Sequence, residues 1–331
     1  MSANQHGIVV EGLVRVFKGD IRAVDGIDLQ VAAGEIYGFL GPNGAGKSTT
    51  VRMLVTLLRP TGGSARVAGH DVATEPDAVR RRIGVALQDA ALDGLMTGRE
   101  LMELQATLHG IAPGDVKERA LELLRRVGLT EAQERRVQTY SGGMRRRLDL
   151  AMALVHEPEV LFLDEPTTGL DPVSRLTLWE EVRRLKAEGT TVFLTTQYLE
   201  EADQLADRVG IINQGVIVAE GTPAALKAQV GRPHLDLTFL GDDPDLERAR
   251  EVAAEFGDHR PAAEGCHLSI ALTDGAPEIA PIVRALDAAN LTVASLDLVQ
   301  PTLDDVFVEK TGRHLEGADP GSDSAAEPAP R

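Results

Sequence analysis

One short segment, GPNGAGKST, combines glycines, a lysine and hydroxyl side chains between an apolar run and an amphipathic one. Residues 41–48 fit the pattern G-x-x-x-x-G-K-[ST], in which backbone N–H groups surround a phosphate chain and the lysine neutralises its outer charges. The serine of this pattern, Ser48, places its hydroxyl on Mg²⁺. A Gly-rich surface turn is the alternative interpretation, but the lysine favours a nucleotide site. The predicted site consists of Gly41, Pro42, Asn43, Gly44, Ala45, Gly46, Lys47, Ser48 and Thr49.

A pair of carboxylates follows a second apolar run, in the segment VLFLDEP. Asp164 comes at the end of a predicted strand, where an acidic side chain reaches the Mg²⁺ held by the glycine loop. Glu165 is suited to orient and deprotonate a water molecule beside the outermost phosphate. The alternative is a charged strand end that faces solvent. Together with the loop, the pair predicts that Asp164 binds the metal and that Glu165 and Lys47 are catalytic.

A third segment, YSGGM, precedes the helical pattern RRRLDLAMALV and places Ser141 near a predicted helix N-cap. This is a second helix start suited to an anion, in a chain with one complete phosphate loop. The arrangement suggests that two copies share their nucleotides. Ser141, Gly142 and Gly143 of one copy would then contact the γ-phosphate held by Lys47 of the other. On its own, S-G-G is a common turn, so dimerisation is a hypothesis.

These segments need elements that bring them together. A short buried strand is predicted over residues 35–40 and a helix over residues 48–58, so the glycine loop lies between a strand and a helix. Alternating strands and helices along the chain predict an α/β domain. The predicted organisation is this α/β domain over 1–228 with a helical insert at about 90–155, a small α+β accessory domain over 229–313 and a disordered tail over 314–331. The accessory domain is predicted to be a strand-helix-strand-helix-strand series, whose strands LDLTFL and CHLSIALT alternate apolar with polar residues.

Composition limits the classes of function. The chain has 331 residues, 43% of them hydrophobic, and a formal net charge of −17. This acidity argues against a general role in nucleic-acid binding, because phosphate backbones are bound by basic surfaces. The single cysteine and the absence of a signal-peptide pattern at the start predict a cytoplasmic protein. No apolar run approaches the roughly twenty residues of a membrane span, so a membrane role requires a partner.

The ordered set GPNGAGKST, Gln88, YSGGM, LFLDEP and TGLD strongly resembles the ATP-binding subunit of ABC transporters, a P-loop NTPase fold, across residues 8–226. The whole chain, including TLDDVFVEKTG, resembles the daunorubicin/doxorubicin-resistance type of bacterial drug exporter. This resemblance implies an ATPase that uses ATP and Mg²⁺, pairs as a homodimer and drives a separate membrane permease. It also implies efflux of a hydrophobic drug or antibiotic, resistance, and peripheral attachment to the cytoplasmic face of the membrane through the permease.

The resemblance assigns further site residues. Gln88 becomes the residue that senses Mg²⁺ and water and faces the permease, and Asp171 the residue that crosses the dimer. Phe17 matches the aromatic that stacks on adenine, and Gln197 replaces the usual histidine that contacts the γ-phosphate. Read without the family, Gln88 is a polar strand end, Asp171 a helix cap and Phe17 a core aromatic. Because glutamine donates a hydrogen bond but cannot become cationic, a slow ATPase is predicted.

Residues 89–101, which follow Gln88, are the predicted contact surface for the permease. Leu95 and Met96 would dock a permease helix, with burial in the core as the alternative. The accessory domain is expected either to distinguish this subunit's partner or only to stabilise the chain.

The alternative function is a soluble ABC-type ATPase that acts on ribosomes or nucleic acid. Such proteins commonly carry two ATPase halves or a basic insert, whereas this chain has one half and a negative charge. A GTPase is disfavoured because the guanine-reading N-K-x-D pattern is absent. A non-catalytic regulatory sensor is suggested only by Gln197.

Overall fold

The computed structural model describes residues 6–87, 92–240, 245–253, 256–260, 267–272 and 276–314. The chain divides into two compact units, one of Met1–Pro223 with Lys310–Arg331 and one of Ala224–Glu309. The predicted tail over 314–331 lies almost wholly outside the described residues. None of the helices in the described part of the chain has the length and apolar character that a membrane span requires.

The first unit alternates strands and helices. Its strands are β1 (His6–Phe17), β2 (Ile21–Ala32), β3 (Ile36–Leu40), β4 (Gly62–Val67), β5 (His70–Asp71), β6 (Ile83–Ala86), β7 (Val160–Asp164), β8 (Thr191–Thr196), β9 (Arg208–Asn213) and β10 (Val216–Gly221). Its helices are α1 (Lys47–Leu54), α2 (Pro76–Arg80), α3 (Gly98–Leu108), α4 (Val116–Arg126), α5 (Gly142–Ala153), α6 (Pro172–Ala187) and α7 (Leu199–Leu205), and α8 (Pro223–Val230) follows at the boundary of the units.

A six-stranded sheet with the order β10-β9-β3-β8-β7-β6 forms the centre of the first unit. Its strands run parallel except for β10, which pairs antiparallel with β9. Every residue of β3, β7 and β8 is buried, as expected for strands covered on both faces. The register pairs Leu40 with Thr196 and Thr195 with Asp164. Strand β8 therefore lies between the strand before the glycine loop and the strand before the carboxylates.

One face of this sheet packs on a second, four-stranded antiparallel sheet with the order β2-β1-β4-β5. Phe193 is the aromatic centre of that core, with its ring centroid 5.4 Å from Phe39 and 5.7 Å from Phe162. A second core cluster joins α3, α4, α5 and α6 to β7 and β8. The two layers hold the central strands rigidly, because apolar residues on both faces are removed from water.

Helices α3, α4 and α5 lie within the predicted helical insert. Helix α3 begins with a capping box, in which the Glu100 N–H donates to Thr97 Oγ1 at 3.2 Å and the Thr97 N–H donates to Glu100 Oε2 at 2.8 Å. Tyr140, just before α5, is buried, and its hydroxyl donates to the Ala132 carbonyl at 2.7 Å. The capping box fixes the start of α3, and the Tyr140 hydrogen bond holds the segment that leads into α5.

The predicted helix over residues 48–58 is too long. Helix α1 ends at Leu54, because Thr56 adopts a left-handed conformation with φ of 66°. The N–H groups of Leu57 and Leu58 then both donate to the Arg52 carbonyl at 2.9 Å. This pattern closes the helix end and satisfies an otherwise free carbonyl.

The second unit contains β11 (His234–Phe239), α9 (Leu246–Ala253), β12 (Gly257–Arg260), β13 (His267–Leu272), α10 (Ile279–Ala288), β14 (Val293–Val299) and most of α11 (Leu303–Thr311). Its antiparallel sheet has the order β12-β13-β11-β14. This βαββαβ arrangement is the ferredoxin-like topology.

The predicted strand-helix-strand-helix-strand series corresponds to β11, α9, β13, α10 and β14, and the alternating burial of β11 and β13 is confirmed. Strand β12 and helix α11 were not predicted. The segment LDDVF forms the start of α11 and buries Leu303, Val306 and Phe307. The predicted boundary at residue 228 lies inside α8.

Candidate active site

The glycine loop connects β3 to α1, and two of its glycines are required by close packing. A Cβ on Gly41 would lie 2.3 Å from the Ile212 carbonyl oxygen, and a Cβ on Gly46 would lie 2.4 Å from that of Ala23. Gly46 also has φ of 110°, a backbone conformation that residues with a side chain rarely adopt. The sequence interpretation assigned these glycines to phosphate approach alone. The structure shows that they also let the loop lie against β2 and β9.

The rest of the loop is held by backbone hydrogen bonds and leaves its tip exposed. The Ala45 N–H donates to the Pro42 carbonyl at 3.2 Å, and the Ala45 carbonyl accepts from the Gly215 N–H at 2.9 Å. Asn43 and Gly44 are exposed, whereas Thr49 is half-buried on the first turn of α1. The loop therefore presents its amides next to the amino end of a helix, where anions are favoured.

Lys47 is buried at the junction of the loop and α1. Its ammonium donates to the carbonyls of Gly41 at 2.6 Å and Pro42 at 3.2 Å, and its Nζ lies 3.2 Å from Glu165 Oε1. Burial lowers the pKa of Lys47, whereas the carboxylates of Glu165 and Asp164 raise it. The structure thus brings together the lysine and the predicted general base, which are far apart in the sequence.

Asp164 lies beside the first turn of α1. The Ser48 hydroxyl donates to Asp164 Oδ1 at 3.3 Å, and the Thr195 hydroxyl donates to the same oxygen. Hydroxyl and carboxylate oxygens are the ligands that Mg²⁺ prefers, usually with water and substrate phosphates completing its shell. Among the described residues, no group of three or more His, Cys, Asp or Glu side chains could hold a metal by itself. The donor set therefore fits Mg²⁺ that is bound together with a phosphate chain.

Glu165 occupies an unusual backbone position. Its φ is 48°, in the left-handed region that non-glycine residues rarely adopt. Its N–H donates to both the carbonyl oxygen and the hydroxyl oxygen of Thr195 at 3.1 Å. Strain of this kind persists only where the surroundings fix it, and it is concentrated at functional sites. The carboxylate is thereby directed toward Lys47.

Ser141 and Asp171 each cap a helix. The Ser141 hydroxyl oxygen accepts from the Met144 N–H at 3.2 Å, which confirms the predicted N-cap of α5. Asp171 caps α6, because its Oδ1 accepts from the Ser174 N–H at 2.9 Å and its Oδ2 from the Ser174 hydroxyl at 2.6 Å. A Cβ on Gly143 would lie 2.7 Å from Ser174 Oγ, so the two helix starts are adjacent. Ser141, Gly142 and Asp171 are all exposed.

Strand pairing places Phe17 and Gln197 near the glycine loop. Phe17 ends β1 opposite Ile21, close along β2 to Ala23, which contacts Gly46. Its ring is 38% exposed, with the Arg15 guanidinium 4.7 Å from its centroid, so it is not a core aromatic. Gln197 is half-buried and directly follows β8, whose last residue Thr196 accepts from the Gly41 N–H at 3.3 Å.

The structure describes only part of the predicted permease surface. Gln88 and residues 89–91 lie outside the described residues. Leu95 is 70% exposed, as predicted for a docking residue. Met96 is partly buried against the core cluster of the insert, so the prediction of an exposed side chain is wrong for Met96. Its position before the α3 capping box directs it inward.

The sequence analysis did not identify two residues of the site. Thr195 lies in β8 and contacts both Asp164 and Glu165. Arg146 lies on α5 and donates to the Asp164 carbonyl at 2.6 Å. Nothing in the local pattern marks either residue, because a threonine in an apolar strand and an arginine in a basic helix are ordinary.

Two family models and several solved structures match this chain. Residues 24–168 match the family model described as ABC transporter, and residues 221–311 match the model described as ATP-binding protein DrrA1-3-like, C-terminal domain. A solved structure of the ATP-binding subunit of an ABC transporter is similar, with a TM-score of 0.62 and 28% identity over 67% of this chain and 92% of that chain. A dimeric post-hydrolysis ATP-binding cassette with bound ADP and Pi has a TM-score of 0.61 and 25% identity over 65% and 98%.

Curated relatives extend the similarity to the whole chain. The daunorubicin/doxorubicin resistance ATP-binding protein DrrA of Streptomyces peucetius is 49% identical, covering 97% of this chain and 96% of the relative. The linearmycin resistance ATP-binding protein LnrL of Bacillus subtilis is 36% identical over 88% of this chain and 94% of the relative. The chain therefore belongs to the ABC transporter family, as an ATP-hydrolysing, ATP-binding subunit of the daunorubicin/doxorubicin-resistance type.

Proposed function

We propose that this chain powers the efflux of a hydrophobic drug or antibiotic through a separate membrane permease and thereby confers resistance. The observation that carries the proposal is the 49% identity with DrrA over nearly the full length of both chains. This match includes the ferredoxin-like unit, which a general ATPase core does not require. The names of the relatives refer to resistance and export, and they do not favour the alternative of a soluble ATPase acting on ribosomes or nucleic acid.

The catalytic roles follow from the positions of the side chains. Lys47 neutralises the outer phosphates of ATP, and Glu165 accepts a proton from the attacking water. Ser48 and Asp164 would hold Mg²⁺, with Gln88 as a further predicted ligand. The metal supplies neutralisation of the phosphate charge. Thr195 holds the Asp164 carboxylate through its hydroxyl, and it holds the Glu165 backbone as well.

Two copies of the chain complete each site in this proposal. Ser141, Gly142 and Gly143 of one copy contact the γ-phosphate held by the other, and Asp171 crosses between the copies. The exposed start of α5 supports this arrangement, since the first N–H groups of a helix favour an anion. The Asp171 carboxylate, which caps α6, lies beside it. The similar solved cassette with ADP and Pi is dimeric. Phe17 stacks on the adenine ring, and Gln197 donates a hydrogen bond to the γ-phosphate.

The permease docks on residues 89–101, with Leu95 as the exposed apolar contact. A loop at the junction of the core and the insert moves when nucleotide binds, so this loop transmits the conformational change to the permease. The subunit is then attached to the cytoplasmic face of the membrane only through the permease. The ferredoxin-like unit distinguishes this permease from others.

The test is to purify the tagged chain from its own host in mild detergent, with and without ATP, and to identify the proteins that co-purify. A multi-span permease supports the proposal, whereas ribosomal or DNA-repair proteins without a permease would overturn it. Resistance is then measured in cells that carry Glu165→Gln. Glu180→Gln is the matched control, because Glu180 is an exposed carboxylate on α6. Resistance lost only in the first variant shows that ATP hydrolysis drives the efflux.

A further inference from the structure

The Arg146 guanidinium contacts three backbone carbonyls at the catalytic edge of the sheet. It donates to the Asp164 carbonyl at 2.6 Å, to the Pro166 carbonyl at 3.1 Å and to the Leu87 carbonyl. Only 10% of its side chain is exposed. A buried guanidinium that fills its donors with backbone carbonyls holds those segments in place, because its planar fork fits fixed acceptor positions.

One of these carbonyls belongs to the peptide that joins Asp164 to Glu165. The same peptide is held at its other end, where the Glu165 N–H donates to Thr195. Arg146 and Thr195 therefore fix the orientation of this peptide from opposite sides. That orientation sets the left-handed φ of 48° at Glu165. Without one of the two anchors the strained backbone can relax, which moves the Glu165 carboxylate away from its position beside Lys47.

The other contacts join separate parts of the unit. Leu87 immediately precedes Gln88, the residue predicted to face the permease. Arg146 itself lies in the first turns of α5, the helix that Ser141 caps. A single side chain thus ties the helix start proposed to meet the second copy to the segment before Gln88 and to the Asp164–Glu165 peptide. The Asp149 carboxylate, whose side chain is 13% exposed, lies 3.3 Å from Arg146 Nη1 and balances its charge.

We propose that Arg146 is a positioning residue for ATP hydrolysis: it holds the Asp164–Glu165 peptide so that the Glu165 carboxylate is placed for catalysis, and it transmits the position of α5 to that carboxylate. The proposal rests on the role of Glu165 as proton acceptor, which belongs to the proposed function. It assigns no contact between Arg146 and ATP.

The test compares Arg146→Lys with Arg147→Lys in the full-length chain. Arg147 is the matched control, because its guanidinium donates to the carbonyls of Val127 at 2.9 Å and Gly128 at 3.3 Å, within the insert. Lysine keeps the charge but cannot reach three carbonyls at once. We expect Arg146→Lys to lower kcat at least about tenfold, while KM and the Kd of a fluorescent ATP analogue rise no more than about twofold. Arg147→Lys keeps kcat within about twofold.

A double-mutant cycle with Glu165→Gln separates positioning from a general structural effect. If Arg146 acts through Glu165, Arg146→Lys lowers the single-turnover rate less than about twofold in the Glu165→Gln background. Arg146→Gln is measured in parallel, and melting temperatures of all variants are compared so that loss of folding is recognised. A stable Arg146→Gln must show the same selective loss of kcat if Arg146→Lys folds poorly.

The outcomes distinguish a failure of the Arg146 proposal from a failure of the Glu165 assignment. If Arg146→Lys has the kcat of the wild type while Glu165→Gln hydrolyses ATP slowly, this proposal is overturned and the assignment of Glu165 stands. An equal loss in Arg147→Lys, or a full tenfold loss in the Glu165→Gln background, would also overturn it. A wild-type rate in Glu165→Gln by itself would overturn the assignment of Glu165, and this proposal with it.

Discussion

Lys47 and Glu165 form a buried ion pair, with Nζ of the lysine 3.2 Å from Oε1 of the glutamate. The same ammonium donates to two carbonyls of its own loop. Burial of the lysine costs solvation, which the carboxylate offsets. In the proposed function, the outer phosphates of ATP and the Glu165 carboxylate compete for this one ammonium.

Glu165→Gln should separate ATP binding from ATP hydrolysis. The amide cannot accept a proton from water, so kcat should fall about 10²- to 10⁴-fold. The amide also competes less for Lys47, so ATP should bind about threefold to tenfold more tightly, as the loss of a competing interaction of ~1 kcal/mol implies. Phosphate release and titration with a fluorescent ATP analogue measure the two effects. Weaker ATP binding in this variant would contradict the competition.

Gly46→Ala should displace the glycine loop. A Cβ at this position meets the Ala23 carbonyl oxygen at 2.4 Å in a conformation with φ of 110°. We expect a loss of about 2 kcal/mol or more in the free energy of unfolding and loss of ATP binding. Gly114→Ala is the control, since nothing lies within 4 Å of its Cβ. Denaturant unfolding and ATP titration give the comparison, and a stable, ATP-binding Gly46→Ala would refute the packing argument.

Gln197→His should raise the rate of ATP hydrolysis. Gln197 directly follows β8 at the edge that carries the glycine loop. Histidine donates a hydrogen bond as glutamine does, and it can also become cationic beside a developing negative charge. We expect kcat to increase several-fold with little change in KM, measured as steady-state phosphate release. An unchanged or lower kcat would show that the glutamine does not slow this enzyme.

Ser141→Ala should affect the dimer more than ATP binding by one chain. Loss of the α5 N-cap costs about 1 kcal/mol of stability. If the second copy contributes this hydroxyl, then ATP-induced dimerisation in a Glu165→Gln background should be lost while single chains still bind ATP. Thr97→Ala removes the comparable cap of α3 and serves as the control. Analytical ultracentrifugation measures the outcome, and equal dimerisation of both variants would exclude Ser141 from the interface.

Asp149 should make stability depend on pH. Burial raises the pKa of Asp149 to about 6, although Arg146 opposes this rise. A carboxyl group with a raised pKa binds its proton more tightly in the folded state, so its contribution to stability falls as pH rises from about 4 to 6. Relative to Asp149→Asn, the wild type should lose about 1–3 kcal/mol across that range. Denaturant unfolding at several pH values measures this loss. Glu180→Gln should follow the wild-type curve, and a constant difference between wild type and Asp149→Asn would contradict the prediction.

The amino-acid sequence by itself was enough to locate the glycine loop, the carboxylates and the cap of α5. These are local features, because loop conformation, strand ends and helix caps depend on residues a few positions apart. The sequence also predicted most of the ferredoxin-like unit, because alternating apolar residues in β11 and β13 follow the pleat of a sheet with one solvated face. Gln88 and the contacts between two copies stay predictions.

Tertiary structure decided which residues meet. The register that places β8 between β3 and β7 brings Thr195 to the Asp164 carboxylate and to the Glu165 N–H, and sequence patterns do not specify strand order. Packing of α5 against the sheet edge carries Arg146 to the Asp164 carbonyl. Contacts with Ala23 and Ile212 impose glycine at two loop positions. Each of these contacts joins segments far apart in the chain, so burial and register in the folded core, rather than local propensity, determine them.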